Sequence, residues 1–269
     1  MSISERFDLH DRVALVTGAA GNIGGAIADI YAEAGAHLLL IDIDSAGLDA
    51  RAHELARFGQ RVHTLVGDVT DIGQIRESFE VLDREFGRID ILANVAGSAR
   101  VGRPEEISLE DVEYTIHGIV TSRFFCTQQA GRRMLAAGRG SIISICSIAG
   151  VSALGRGHIA YSMAMGAVAQ MTRELSTEWS GRGVRVNAIL PGQIRNPGLE
   201  QRMESDPGLR TSFLRGLPTG RLGEKDEIAG LALLLGSDAS SFITGALIPV
   251  DGGNLAKNAG GSHPGMPGD

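Results

Sequence analysis

The run Val13-Ala14-Leu15-Val16-Thr17-Gly18-Ala19-Ala20-Gly21-Asn22-Ile23-Gly24 sets the architecture of the chain. Its first five residues, with an unbroken apolar run, predict a strand covered on both faces. Three glycines in the next seven positions then lead into a helix that starts near Ile23. Glycine permits a tight turn and lets backbone N–H groups approach a phosphate, which rests on the helix N-terminus. The spacing is not G-x-G-x-x-G, so a plain glycine-rich strand–helix turn explains this segment equally well. The next strand shifts the balance. It ends Leu40-Ile41-Asp42, with Asp42 standing 24 positions after Gly18. A carboxylate there can accept both hydroxyls of an adenosine ribose and repels a 2′-phosphate. The first basic residue after it is Arg51. NAD is therefore expected over NADP; the alternative for Asp42 is a helix cap or a solvated loop acid.

Outward from that turn, short runs rich in Val, Ile and Leu alternate with helix-length segments. Strands are predicted at Val13–Thr17, His37–Ile41, Val62–Val66, Ile89–Asn94, Ser141–Ser144, Val184–Leu190 and Leu247–Val250. Helices are predicted over residues 23–34, 46–58, 71–86, 108–136, 159–180 and 225–236. Gly35, Gly59 and Gly87 follow the first three, where a left-handed residue closes a helix. Ser108 with Asp111 resembles a capping box. Such alternation implies an α/β fold: a doubly wound, Rossmann-type parallel sheet of about seven strands in three layers. Nothing in the composition divides the chain, so residues 1–257 are expected to form one domain. Residues 191–222, rich in Gly, Pro, Arg and Ser, read as an irregular lid over a substrate. Residues 258–269, rich in Gly and Pro, read as a disordered tail.

With 25 Lys+Arg against 32 Asp+Glu, the net charge is -7, which argues against nucleic acid or an anionic membrane as partner. The longest apolar run, Ile228–Leu235, is far shorter than the ~20 residues of a membrane span. The N-terminal residues lack the apolar stretch of a signal peptide. Cys126 and Cys146 are too few for a disulfide scaffold and fit a reducing compartment. A cytoplasmic location is expected. No Cys/His cluster has metal-ligand spacing, and no metal site is expected.

Over residues 8–253 the chain resembles the short-chain dehydrogenase/reductase family. Thr17 to Gly24 is similar to that family's Thr-Gly-x-x-x-Gly-x-Gly turn, with Asn22 in place of the middle glycine. Asn tolerates a left-handed φ better than other side chains, so the turn is expected to form. Asp68-Val69 resembles the adenine-contacting pair, and Asn94-Val95-Ala96-Gly97 the Asn-Asn-Ala-Gly signature. Pro191-Gly192-Gln193-Ile194 resembles the loop that touches the nicotinamide. Ser241 to Gly245 and Val250 to Gly253 resemble the C-terminal strand region. The resemblance thus implies cofactor contacts from Gly18, Asn22, Ile23, Gly24, Asp42, Asp68, Val69, Asn94, Ala96, Gly97, Tyr161, Pro191, Gly192 and Ile194.

The same resemblance implies catalysis by an Asn, Ser, Tyr and Lys tetrad. Ser147 matches the serine and Tyr161 the tyrosine, which exchanges a proton with the substrate oxygen. The other two members are replaced. Tyr161-Ser162-Met163-Ala164-Met165 puts Met165 at the lysine position, one helical turn from the tyrosine. Aligning Phe124-Phe125-Cys126-Thr127 puts Ile119 at the asparagine position. A thioether carries no charge and donates nothing. The chain's only lysines are Lys225 and Lys257. Lowering a tyrosine from its usual pKa of about 10 to about 7 takes about 4 kcal/mol of selective phenolate stabilisation. Arg156 and His158 are candidate cations, more simply read as solvated residues at the mouth of a cleft. His117 reads as an ordinary helix residue, Met163 and Met171 as packing, and Trp179 as cover for a helix end. Cys146 reads as a buried, inert thiol. Arg195, Arg202, Arg210, Arg215 and Arg221 read either as an anion-binding set or as charge-balanced loop residues.

Three functions fit. The first is an NAD-dependent oxidoreductase interconverting a secondary alcohol and a ketone through Ser147 and Tyr161. The second is a nucleotide-binding subunit, its redox chemistry lost, in a mixed oligomer. The third is a non-redox member of the fold acting on an epoxide, halide or dehydration substrate. The resemblance also implies a homotetramer or dimer built on the helices at 108–136 and 159–180 and the C-terminal strand.

Overall fold

Continuous apolar strands need cover on both sides, and the computed structural model, which describes residues 2–257, supplies it. The tail expected at 258–269 lies outside the described residues. In chain order the elements begin α1 (Ile3–Phe7), β1 (Val13–Thr17), α2 (Asn22–Glu33), β2 (His37–Asp42), α3 (Ser45–Leu55) and β3 (Val62–Val66). Then come α4 (Ile72–Phe86), β4 (Ile91–Asn94), α5 (Leu109–Ile116), α6 (Ser122–Ala137), β5 (Gly140–Ile145) and α7 (Ile159–Trp179). The chain continues through β6 (Val184–Pro191), α8 (Pro197–Ser205), α9 (Pro207–Arg215), α10 (Lys225–Gly236), β7 (Leu247–Val250) and α11 (Asn254–Lys257).

The seven strands are all parallel in the order β3-β2-β1-β4-β5-β6-β7. Successive residues of one strand point to opposite layers. Ala14 and Val16 pack with Leu38, Leu40, Ile27 and Ile228 under α2 and α10. Val13 and Leu15 pack with Leu39, Ile142, Phe79 and Met134 under α4 and α6. The expected three-layer α/β fold is the observed one. Beside β1 the sheet reverses its winding, because β2 lies on one side and β4 on the other. A crevice opens at the carboxyl ends of these strands, where doubly wound sheets bind ligands.

Two expectations need correction. The helix predicted over 108–136 is broken by a π-turn at His117–Thr121: the Ser122 N–H reaches back five residues to the His117 carbonyl. The Ser122 hydroxyl meanwhile donates to the Gly118 carbonyl at 2.9 Å. The stretch 191–222 is not irregular throughout, since it carries α8 and α9. Each starts with a side-chain cap followed by proline at the first helical position. Asn196 accepts the Leu199 N–H, and Asp206 accepts those of Gly208 and Leu209. Met203, Leu217 and Leu222 give the two helices a small core of their own. Among the described residues no helix is long and apolar enough to cross a membrane.

Candidate active site

The turn between β1 and α2 is closed by backbone geometry that only glycine allows. Gly18 has φ +69°, and a Cβ on Gly24 would lie 2.0 Å from the Gly18 carbonyl oxygen. Gly21 caps α2 without any side-chain hydrogen bond, which leaves the first N–H groups of the helix for another acceptor. The Asp42 carboxylate is fixed beside the turn, accepting the Ala20 N–H at 3.0 Å and the Asp44 N–H at 3.1 Å. Thr17 Oγ1 accepts the N–H groups of Val95 and Ala96, which ties the end of β1 to the loop after β4. Together these segments border a cleft of about 560 Å³.

Gly18, Asn22, Ile23, Gly24, Asp42, Asp68, Val69, Ala96, Gly97 and Ile194 all line that cleft. Asn94 and Pro191 do not. Asn94 is only 1% exposed and donates to Thr127 Oγ1 at 2.8 Å behind the wall, while Pro191 is buried at the end of β6. The turn expected despite Asn22 does form, without a left-handed Asn22. Among the described residues only Asp11 is a non-glycine with positive φ, so Asn22 is not left-handed; it opens α2. Its Nδ2 donates to the Arg195 carbonyl at 2.8 Å, linking the turn to the segment after β6.

A second cavity of about 350 Å³ holds Ser147, Tyr161 and Gly192 with Arg156, His158 and Gln193. Chain neighbours line the two: Ser98 and Ile194 border the first, and Ala99 and Gln193 the second. Ser147 follows β5, and its Oγ accepts the Ala149 N–H at 3.1 Å. Tyr161 sits in the first turn of α7. Burial pushes its phenol above the ordinary tyrosine range, while a hydrogen bond with Ser147 and the charge of Arg123 pull it back. The His158 ring meets the Tyr161 ring edge-on, 6.1 Å between centroids. Arg156 is not simply solvated: its guanidinium lies 4.6 Å over the Phe213 ring of α9.

Met165 and Ile119 are buried in one apolar cluster with Cys146, Ile148, Ala188 and Leu190. Cys146 donates to the Met165 carbonyl, and burial pushes its thiol up. Cys126 is pushed up to about 12 for the same reason. Both are unreactive thiols. His117 bonds the Thr70 carbonyl at 2.8 Å, and Trp179 packs on Gly131. Arg195 bridges Glu200 and Glu224, and Arg221 pairs with Glu227, so these two are charge-balanced by neighbouring carboxylates. Among the described residues no His, Cys, Asp and Glu group could hold a metal ion.

One residue escaped the sequence reading. Arg123 is 4% exposed and donates to the carbonyls of Ala96 at 3.2 Å, Ile145 at 2.6 Å and Val95 at 3.1 Å. Its signal was a charge on the buried stripe Ile119, Arg123, Cys126, Ala130 and Met134, at helical spacing.

The family model described as Enoyl-(Acyl carrier protein) reductase matches residues 18–254. The chain is 40% identical to a D-threitol dehydrogenase of Mycolicibacterium smegmatis, over 96% of this chain and 98% of that protein. Its fold superposes with a TM-score of 0.88 on a gluconate 5-dehydrogenase from Burkholderia cenocepacia solved with NADP and tartrate. That protein is 30% identical, and the match covers 95% of this chain and 99% of that one. With a 7α-hydroxysteroid dehydrogenase complexed with NADH and 7-oxo glycochenodeoxycholic acid the TM-score is 0.89 at 28% identity, covering 94% and 98%. A parallel sheet with its crevice beside β1, a glycine turn, and dehydrogenase relatives matched end to end lead to one conclusion: the chain belongs to the short-chain dehydrogenase/reductase family.

Proposed function

We propose that the chain is an NAD-dependent oxidoreductase that interconverts a secondary alcohol and a ketone. The observation that carries this reading is the adjacency of two cavities. One is lined by the glycine turn and Asp42; the other is lined by Ser147 and Tyr161. The residues present fit a dinucleotide: the Gly18 and Gly24 backbones close a tight turn against the cleft, and the uncapped start of α2 offers N–H donors to a pyrophosphate. When bound, the nicotinamide supplies the hydride carrier.

Ser147 then donates a hydrogen bond to the substrate oxygen. Tyr161 takes the proton from the alcohol in oxidation and returns it to the ketone in reduction. Preference for NAD rests on charge. Among the described residues that border the first cleft none is Lys or Arg, and beyond Asp42 stands Ile43, 70% exposed. Arg51 is engaged by the carboxylates of Asp29 and Glu54. The relatives' names support a small polyhydroxylated substrate, and Arg156, His158 and Gln193 provide polar groups for its hydroxyls. Two free, buried cysteines support a reducing, cytoplasmic setting. Exposed apolar residues on α5, α6 and α7 support a homotetramer or dimer.

Ile119 and Met165, packed together in an apolar cluster, favour a second reading: an NAD-binding subunit without turnover. A panel of polyols and hydroxy acids assayed with NAD+ separates the two. Turnover well above a Tyr161→Phe control supports the oxidoreductase; rates equal to that control overturn it.

A further inference from the structure

A positive charge near its phenol would favour proton transfer at Tyr161, and the residue one turn along α7, Met165, carries none. A buried phenol in apolar surroundings resists ionisation. The side chains that face it are few. Ser147 and Cys146 come from the end of β5, Arg156 and His158 from the loop before α7, and Arg123 from α6. Arg156 is engaged with Phe213, while the His158 Nδ1 is held by the Arg156 carbonyl.

Arg123 differs from these. It is enclosed by protein, its hydrogen-bond partners among the described residues are backbone carbonyls and no carboxylate, and one of them, Ile145, adjoins Cys146 in the cluster on which Tyr161 packs. Burial lowers its pKa, and arginine keeps its charge in proteins. Three carbonyls hold the planar fork: two on the loop that borders the cofactor cleft and one, Ile145, two residues before Ser147. The N–H groups of Val95 and Ala96 are already held by Thr17, so this peptide pair is gripped from both sides. Arg123 stands one turn beyond Ile119, whose apolar side chain packs against Met165.

We propose that Arg123 is the electrostatic partner of Tyr161: a positioning residue whose buried guanidinium stabilises the phenolate while it locks the Val95–Ala96 and Ile145 backbones around the site. This rests on the proposed oxidoreductase reading for its use, though not for its physics.

The test is a phenolate titration by NMR of ζ-13C-tyrosine protein without cofactor. The chain has three tyrosines, so Tyr161 is assigned by its loss in Tyr161→Phe. Arg123→Met should move the Tyr161 titration to higher pH. It should also lower kcat/KM at pH 7 at least tenfold, with a smaller loss at pH 9 to 10. Arg123→Lys should keep most of both. The decisive variant is Arg123→Met with Met165→Lys, which returns a cation from the other side without remaking the carbonyl bonds. It should bring the titration back down and recover rate over Arg123→Met. An unmoved Tyr161 titration in a folded Arg123→Met protein overturns the proposal. So does a double variant that matches Arg123→Met in titration and rate. If Arg123→Met does not fold, Arg123→Lys against the double variant decides: both must titrate near the unaltered protein. Absence of turnover on every alcohol would remove the oxidoreductase reading and leave the titration result standing.

Discussion

At the residue scale, Asp42 and Gly24 are the positions where one atom decides an outcome. The Asp42 carboxylate already takes two backbone N–H groups at the turn, which aims its remaining lone pairs into the cleft. A hydrogen bond to a charged group contributes about 1.5–3 kcal/mol. Asp42→Ser should therefore weaken NAD+ binding by roughly 10- to 100-fold and narrow its preference over NADP+, as read by titration calorimetry. Unchanged discrimination would mean that another group sets it. For Gly24, a Cβ meets a backbone oxygen at 2.0 Å, and no side chain can move aside. Gly24→Ala should cost about 2–4 kcal/mol and lower Tm by roughly 5–15 °C, with NAD+ affinity lost in step. A Tm within a degree of the unaltered protein would contradict this turn geometry. Both residues were legible because their chemistry is tied to the end of a strand. Arg123 was not, because its meaning comes from the layers that enclose it, and one arginine in a polar-looking stretch Thr121-Ser122-Arg123 looks solvated.

At the scale of elements, the strands were legible and the substrate side was not. A run such as Val184–Pro191 announces burial on both faces, whereas α8 and α9 are short and owe their existence to caps at Asn196 and Asp206. The Asn-Pro and Asp-Pro pairs were the available clue. The π-turn between α5 and α6 had no clue of that kind: it depends on the Ser122 bonds and on Gly118 fitting against Ser98. The start of α10 carries a pH-dependent element of stability. Glu227 accepts the Glu224 N–H and pairs with Arg221, which holds its carboxyl down at about 2 against an ordinary 4.5. A folded pKa below the unfolded one stabilises the fold fully above 4.5 and loses that contribution as the pH falls towards 2. The site is exposed, so the effect is modest. Thermal melts should show Glu227→Gln below the unaltered protein at pH 6 to 7, with the gap closing below pH 3. A gap that stays constant with pH would rule out this linkage.

For the whole molecule, the fold class followed from alternation alone, while assembly depends on surfaces that no single helix defines. Leu109, Phe124, Ile159 and Met163 leave large apolar side chains in solvent on α5, α6 and α7, with Phe124 at 44% and Met163 at 51% exposed. A stable interface between copies buries about 1,200–2,000 Å², and its centre is poor in charge. The long α6 and α7 helices offer that extent, and both also carry site residues: Arg123 on one, Tyr161 on the other. An interface along them would stiffen the scaffold that holds these two side chains. Light scattering after size-exclusion chromatography should find the protein as a dimer or tetramer at micromolar concentration. Phe124→Glu combined with Met163→Glu introduces two charges where desolvation is costly, and should yield monomers with a lower Tm. If the double variant keeps the unaltered mass, copies meet on another face, with the fully exposed Phe242 near β7 the next position to alter. A monomeric unaltered protein would instead leave α6 and α7 supported by the intramolecular core alone.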